Sequence, residues 1–208
     1  MARKPYPSIR VFQSPYLEAL THVHPITPLV FWVPVIAFLL YRSVNVHEFG
    51  WVAIASMAIS GLFVWTLAEY LLHRYVFHYE GTHPITKRLH FLIHGLHHDD
   101  PNDPTRLVMP PAGGALIAFP LYLGFRAVLG PAWVDPFFAF FLVGYLCYDY
   151  IHFATHHFRP RTRVGKFLKQ HHMLHHFAEH GSRWGVSSPM WDYVFGTLEE
   201  DRPVRQNT

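Results

Sequence analysis

The sequence has 208 residues, of which 50% are hydrophobic, 17% aromatic and only 15% charged, with a formal net charge of +3. A globular domain carries about 25% charged residues, so an ordinary soluble surface is excluded and a membrane is implied. The Lys and Arg residues form no stripe dense enough to read a phosphate backbone, which excludes nucleic acid as a partner. The single cysteine, Cys147, excludes an intrachain disulfide and a thiolate metal site.

The opening stretch, MARKPYPSIRVFQSPYLEAL, has basic residues but no apolar core behind them, so it does not read as a secretory signal. Four apolar segments follow, at 27–45, 49–72, 107–129 and 134–155. A helix needs about 20 apolar residues to cross the hydrocarbon core. The shorter segments are bounded by Trp, Tyr and Arg, as membrane anchors often are. The expected fold is therefore one all-α integral membrane domain over residues 1–208, with four transmembrane helices. Residues 73–106 and 156–208 form a cytosolic helical cap around a histidine-rich dinuclear metal site. Basic residues set the orientation. Arg3, Lys4 and Arg10, the 73–106 connection and the tail after 155 hold nearly all of them, and the opposite side receives only Arg42 and Arg126. The termini and the cap are thus expected in the cytoplasm.

The histidines follow the same partition, since of eighteen only His47 falls on the far side. They come in four groups: His73 and His78; His94, His97 and His98, with His90 one turn earlier; His152 and His156; and His172, His175 and His176. Positions i, i+3 and i+4 share a helix face, so each HX2HH set is expected to project from one side. His73 and His78 are five apart and diverge on a straight helix. They converge only if the helix ends or bends near Phe77, or if each serves a different ion. Ten imidazoles are too many for one ion, and a pH sensor needs one or two. Two ions with about four to six ligands each account for them. Glu69, Asp149 and Glu179 stand three or four residues from His73, His152 and His175, and each is expected to accept a free ring N–H. His22, His24, His47 and His83 lack ligand spacing and read as surface or interfacial. His157, His171 and His180 adjoin the motifs without extending their arc, and His90 reads as a ligand or a neighbour of one.

All-nitrogen ligation of two iron ions suits O2 activation and C–H oxidation, whereas a zinc pair suits hydrolysis. Oxidation is favoured because no nucleophile or oxyanion hole is evident. The site also lies at the membrane surface, where an alkyl or acyl chain enters. The stiff loop DDPNDPTRLVMPP (99–111) lies on that path. Arg106, Trp184, Trp191 and Tyr193 are candidate head-group contacts, with interfacial anchoring an equal reading for the aromatics.

The HX4H, HX2HH, HX3H and HX2HH series resembles the membrane fatty acid hydroxylase and sterol desaturase superfamily. WTLAEYLLHRYVFH (65–78), HFLIHGLHH (90–98), DPTRLVMPP (103–111) and GVSSPMWDYVFGT (185–197) are most similar to the branch of fatty acid 2-hydroxylases acting on sphingolipid acyl chains. The resemblance spans essentially the whole chain. It implies an O2-dependent membrane di-iron monooxygenase that hydroxylates the carbon next to the acyl carbonyl, with the (R) outcome. The ligands carried over are His73, His78, His94, His97, His98, His152, His156, His172, His175 and His176, and zinc can occupy the same nitrogens in a purified sample. The lipid is a ceramide, another sphingolipid or a free fatty acid. Sterol or carotenoid oxidation within the same superfamily is the alternative, and a non-catalytic membrane metal-binding protein a more distant one. Several relatives carry an N-terminal cytochrome b5 domain for which this chain has no room. Electrons are then expected from a separate carrier of cytochrome b5 or ferredoxin type. The tail DRPVRQNT carries no endoplasmic-reticulum retrieval signal, which tilts the expected location toward a bacterial inner membrane.

Overall fold

The computed structural model describes residues 6–177 and 181–198. Among them every regular element is helical. In chain order they are α1 (Pro15–Ala19), α2 (Thr27–Asn45), α3 (Trp51–Leu72), α4 (Pro84–His90), α5 (Leu96–Asp99), α6 (Pro111–His157), α7 (Arg163–Phe177) and α8 (Met190–Phe195). Two single π-helical turns interrupt the series: His73–Phe77 continues α3, and Phe91–Gly95 joins α4 to α5.

Three of the described helices are long and apolar enough to cross a membrane: α2, α3 with its π-turn, and α6. Their outer faces are covered by exposed apolar side chains, such as Val30, Phe38, Val52, Ile59, Leu116 and Val128. A water-facing surface rarely tolerates such patches, whereas lipid favours them. Hydroxyls on these helices bond back to the helix itself, as with Ser43 to the Leu39 carbonyl and Ser60 to that of Ser56, both within 2.8 Å.

Residues 107–129 and 134–155, expected as two spans, fall largely within two helical arms of α6 that meet at a break at Gly130. Drawn straight, α6 would run about 70 Å, far beyond the roughly 30 Å hydrocarbon core. It is not straight. Gly130 has φ 82° and ψ 167°, a conformation open only to glycine. There the chain doubles back. The Phe125 and Phe141 rings lie 5.3 Å apart, where sixteen residues of straight helix would separate them by about 24 Å.

The second arm of α6 is the centre of the packing. Val134, Phe138, Phe141 and Leu142 are buried, with Trp32 from α2 and Trp65 from α3 closing on them. Trp65 meets Phe141 and Tyr145 edge-on at 5.1 and 5.6 Å. Two glycines permit this approach. A Cβ on Gly61 would stand 2.4 Å from the Phe137 carbonyl oxygen, and one on Gly144 would stand 2.6 Å from Trp65.

At the end of the bundle away from the histidines, fully buried Asp135 ties the helices together. It binds Arg42 Nε at 3.1 Å, His47 Nε2 at 3.0 Å and the Tyr122 hydroxyl at 3.1 Å. His47, expected to be surface or interfacial, is a partner of a buried carboxylate. At the other end, residues 6–22 strap across the cap. Arg106 binds the Ile9 carbonyl and the Glu18 carboxylate, and Arg88 reaches the Val11 carbonyl at 3.0 Å.

Candidate metal centre

The ten histidines converge as two groups of five. His73, His78, His94, His98 and His175 form one, and His97, His152, His156, His172 and His176 the other, with donor atoms in each group within 4.8 Å of one another. The first π-turn makes this possible. Five residues of regular α-helix would rotate His78 about 140° from His73. The wider turn, closed by His78 N–H to the His73 carbonyl at 3.3 Å, brings the two rings to 5.0 Å.

Each HX2HH motif divides between the groups, rather than serving one as its shared helix face suggests. His94 and His98 join the first group while His97 joins the second, and His172 and His176 join the second while His175 joins the first. Consecutive helical residues differ by about 100° in direction, so His97 and His98 aim at different centres. The groups touch where His98 stacks on His176, with ring centroids 4.1 Å apart.

The donor spacing tests whether metal ions fit. The Nε2 atoms of His73 and His94, of His94 and His98, and of His78 and His175 are 3.1 Å apart. In the second group, His97 lies 3.0 Å from both His152 and His176, and His156 lies 2.8 Å from His172. Nitrogens bound at about 2.1 Å stand about 3.0 Å apart at right angles and about 3.4 Å apart at tetrahedral angles. The spacing fits ligands near right angles around an ion with five or more positions.

Tautomers agree with this. His73 Nδ1 is 2.5 Å from the Trp184 carbonyl and His175 Nδ1 is 2.7 Å from the Ser182 carbonyl. A carbonyl only accepts, so both Nδ1 atoms carry hydrogen and both Nε2 lone pairs point inward. Burial first, then repulsion from neighbouring rings, holds His94, His97, His172 and His176 far below the usual imidazole range. The same causes bring His78 to about 2 and His98 to about 3. Burial lowers His175 to about 4. These rings are neutral at physiological pH, the form that ligates metal.

The expected carboxylate partners do something else. Glu69 does not meet His73; it accepts the backbone N–H groups of Val186 and Ser187, each at 2.7 Å, and the Ser187 hydroxyl. Asp149 accepts Met109 N–H at 3.2 Å rather than bonding His152. Buried amides of an arriving loop require acceptors, and these carboxylates supply them. Glu179 and His180 lie outside the described residues. His90 joins neither group, its ring 6.3 Å from that of His78. His157 also stays outside both.

Sequence reasoning missed Asp192, the residue that His171 serves. Fully buried, Asp192 accepts Trp184 N–H at 2.8 Å, Gly185 N–H at 2.9 Å, the Thr197 hydroxyl at 2.8 Å and His171 Nε2 at 3.2 Å. Burial alone would raise its pKa, but these hydrogen bonds bring it below the ordinary value. Its only sequence signal is a lone acid inside an aromatic run, MWDYVF.

Of the candidate head-group contacts, Arg106 is engaged with the N-terminal strap, binding Glu18 and, at 2.9 Å, His22 Nε2. Trp184 walls the first group, its ring 4.8 Å from His78 and 5.2 Å from His175. Trp191 donates to Thr66 at 2.9 Å, and Tyr193 is exposed.

A cavity of about 210 Å³ reaches His94, His97 and His152, and is roofed by Phe12, Leu20 and Thr21 of the strap. A second, predominantly apolar cavity of about 40 Å³ lies between α2, α3 and α6, against Trp32, Trp65, Ala118 and Leu121. Phe77, Met109 and Tyr148 line both. The 99–111 loop therefore forms, through Met109, part of the wall between the histidine groups and the membrane interior.

Residues 58–197 match the family model described as fatty acid hydroxylase. The chain is 37% identical to a dihydroceramide fatty acyl 2-hydroxylase of Arabidopsis thaliana, covering 95% of this chain and 83% of that protein. It is 38% identical to the ceramide very long chain fatty acid hydroxylase of Saccharomyces cerevisiae, over 91% of this chain and 50% of the relative. It is 36% identical to human fatty acid 2-hydroxylase, over 94% and 58%. A solved structure of full-length scs7p, with only the hydroxylase domain visible, superposes with a TM-score of 0.87 at 37% identity, covering 94% of this chain and 74% of that one.

Proposed function

The chain belongs to the fatty acid hydroxylase family, and from that premise we propose that it hydroxylates C2 of a fatty acyl chain, carried by a ceramide, another sphingolipid or a free fatty acid. The overall change is one O2, two electrons and two protons in, and one C2 hydroxyl and one water out. The observation that carries the reading is the pair of five-histidine groups opening onto a cavity that adjoins an apolar pocket between membrane helices.

The ten histidines are the proposed ligands of two ions, and iron is the proposed metal because oxidation needs a redox-active one. The imidazole set suits zinc equally as a binder. When bound, the iron pair supplies O2 activation. The protein's own part is positional. Trp184 and Ser182 carbonyls hold two rings in the ligating tautomer. The strap roofs the cavity against water, and Phe77, Met109 and Tyr148 guide an acyl chain between the two spaces. Fixing C2 beside the donors confines the reaction to that carbon.

The protein is an integral membrane enzyme. We further propose that the two arms of α6 each cross the bilayer, giving four crossings with the termini and site cytoplasmic. Electrons come from a separate carrier of cytochrome b5 or ferredoxin type. Expression in a host lacking 2-hydroxy lipids tests the activity. Lipid mass spectrometry should show one added oxygen on acyl chains, located at C2 by fragmentation. No change with iron and reductant supplied refutes the reading, and oxygen at another carbon relocates the chemistry.

A further inference from the structure

The two histidine groups differ in how their rings are supported. In the first, two Nδ1 atoms end on backbone carbonyls of one short segment: His175 on Ser182 and His73 on Trp184. In the second, Nδ1 of His172 and of His176 is buried with no hydrogen-bond partner among the described residues.

The segment 182–187 is itself locked on its amide side. Trp184 and Gly185 N–H groups go to Asp192, and those of Val186 and Ser187 go to Glu69. Asp192 sits closest to the carbonyls that matter. It grips the amide of Trp184, the residue whose carbonyl orients His73. The fit is tight: a Cβ on Gly185 would stand 2.1 Å from the Ser188 carbonyl oxygen and 3.0 Å from Asp192 Oδ2. The fourth hydrogen bond to Asp192 comes from His171, which neighbours the ligand His172 but turns away from both groups.

We propose that Asp192, held in place by His171, is a positioning residue for the first histidine group. It acts through the Trp184–Gly185 backbone to fix the His73 ring, so the ion of that group is the more tightly held of the two. The inference rests on the two-ion reading above. Orienting partners of metal-bound histidines are typically worth 10–100-fold in metal affinity. Asp192→Asn keeps the side-chain shape but turns an N–H donor toward Gly185 N–H and His171. Its effect should fall on one ion only.

The test uses the full chain in detergent, loaded with Zn²⁺ for affinity and with Co²⁺ for its visible spectrum. Chelator competition on the unsubstituted protein should release two ions in two steps. Asp192→Asn should weaken the tighter step about 10–100-fold and leave the other unmoved, with only one cobalt band set altered. In a His176→Ala background, which cripples the second group, the single remaining step should shift by the same factor. His171→Leu should reproduce the defect, and His171→Gln, which retains an N–H donor, should restore wild-type release. If Asp192→Asn does not fold, the His171 pair decides alone. Equal shifts of both steps, a shift confined to the weaker one, or no shift overturns the proposal. Fewer than two ions in the unsubstituted protein overturns the two-ion reading instead.

Discussion

Ala118 gives the sharpest test of where the acyl chain lies. It faces the apolar cavity between α2, α3 and α6, next to Leu121 and opposite Trp32 and Trp65. Met109, on the wall shared with the histidine-lined cavity, lies nine residues before it. Ala118→Leu adds three carbons to the pocket wall without disturbing helix propensity. A chain long enough to reach that point loses space for about three methylenes. At about 0.8 kcal/mol per buried methylene this is about 2.4 kcal/mol, or roughly 60-fold in kcat/KM. A chain too short to reach Ala118 loses nothing. The assay offers two acyl lengths in competition and measures the ratio of 2-hydroxylated products by mass spectrometry. Leu116→Ala, on the lipid-facing side of the same helix at 77% exposure, is the control and should leave the ratio unchanged. A folded, metal-loaded Ala118→Leu protein with the original ratio would show that the chain does not enter this cavity.

Three further outcomes follow from the packing and the charges. Gly61→Ala should destabilise the protein by about 1–3 kcal/mol, read as a lower thermal midpoint, because its Cβ meets Phe137 backbone; Gly50→Ala, with nothing within 4 Å, should not. Asp135→Ala should lower stability by less than the roughly 3–5 kcal/mol of a fully buried pair, because Arg42 is 31% exposed and reaches water; an unchanged midpoint refutes the link. In metal-free protein, His175, His98 and His78 have folded pKa values near 4, 3 and 2, against 6.5 unfolded. The unfolded chain alone takes protons below pH 6.5, so stability is complete above that value and falls as pH drops toward the folded values. The slope is at most about 1.4 kcal/mol per pH unit for each ring, over a narrower pH range for the partly solvated His78 and His98. A midpoint that rises on acidification contradicts this sign.

The histidine spacing was legible because ligation demands particular residue types at helical intervals, and no other pressure yields four such groups. Their division was not legible. It depends on which way each ring leaves a helix already altered by two π-turns; HRYVF carries no breaker residue that announces its turn, and FLIHG has only the terminal Gly95. Apolar stretches gave the membrane segments, and the break left between 129 and 134 contains Gly130, where α6 reverses. Glu69 and Asp149 were recognisable as costly acids needing partners. Which partners they found depended on distant loops, Val186–Ser187 and Met109. Asp192 and His171 were missed for the same reason, since their bond joins α7 to α8 across twenty-one residues.

The division of each HX2HH motif also has a consequence for biogenesis. Every histidine group draws on three stretches of chain, and both HX2HH motifs supply both groups. Neither site can be completed while the chain is partly made, because each waits for residues beyond 170. On the two-ion reading, neither ligand set is complete until most of the chain is made, and the two ions would then act as cross-links closing loops of roughly eighty to a hundred residues. Such closures chiefly penalise the open chain, so the newly inserted, metal-poor protein should present its cap to proteases until loading seals it.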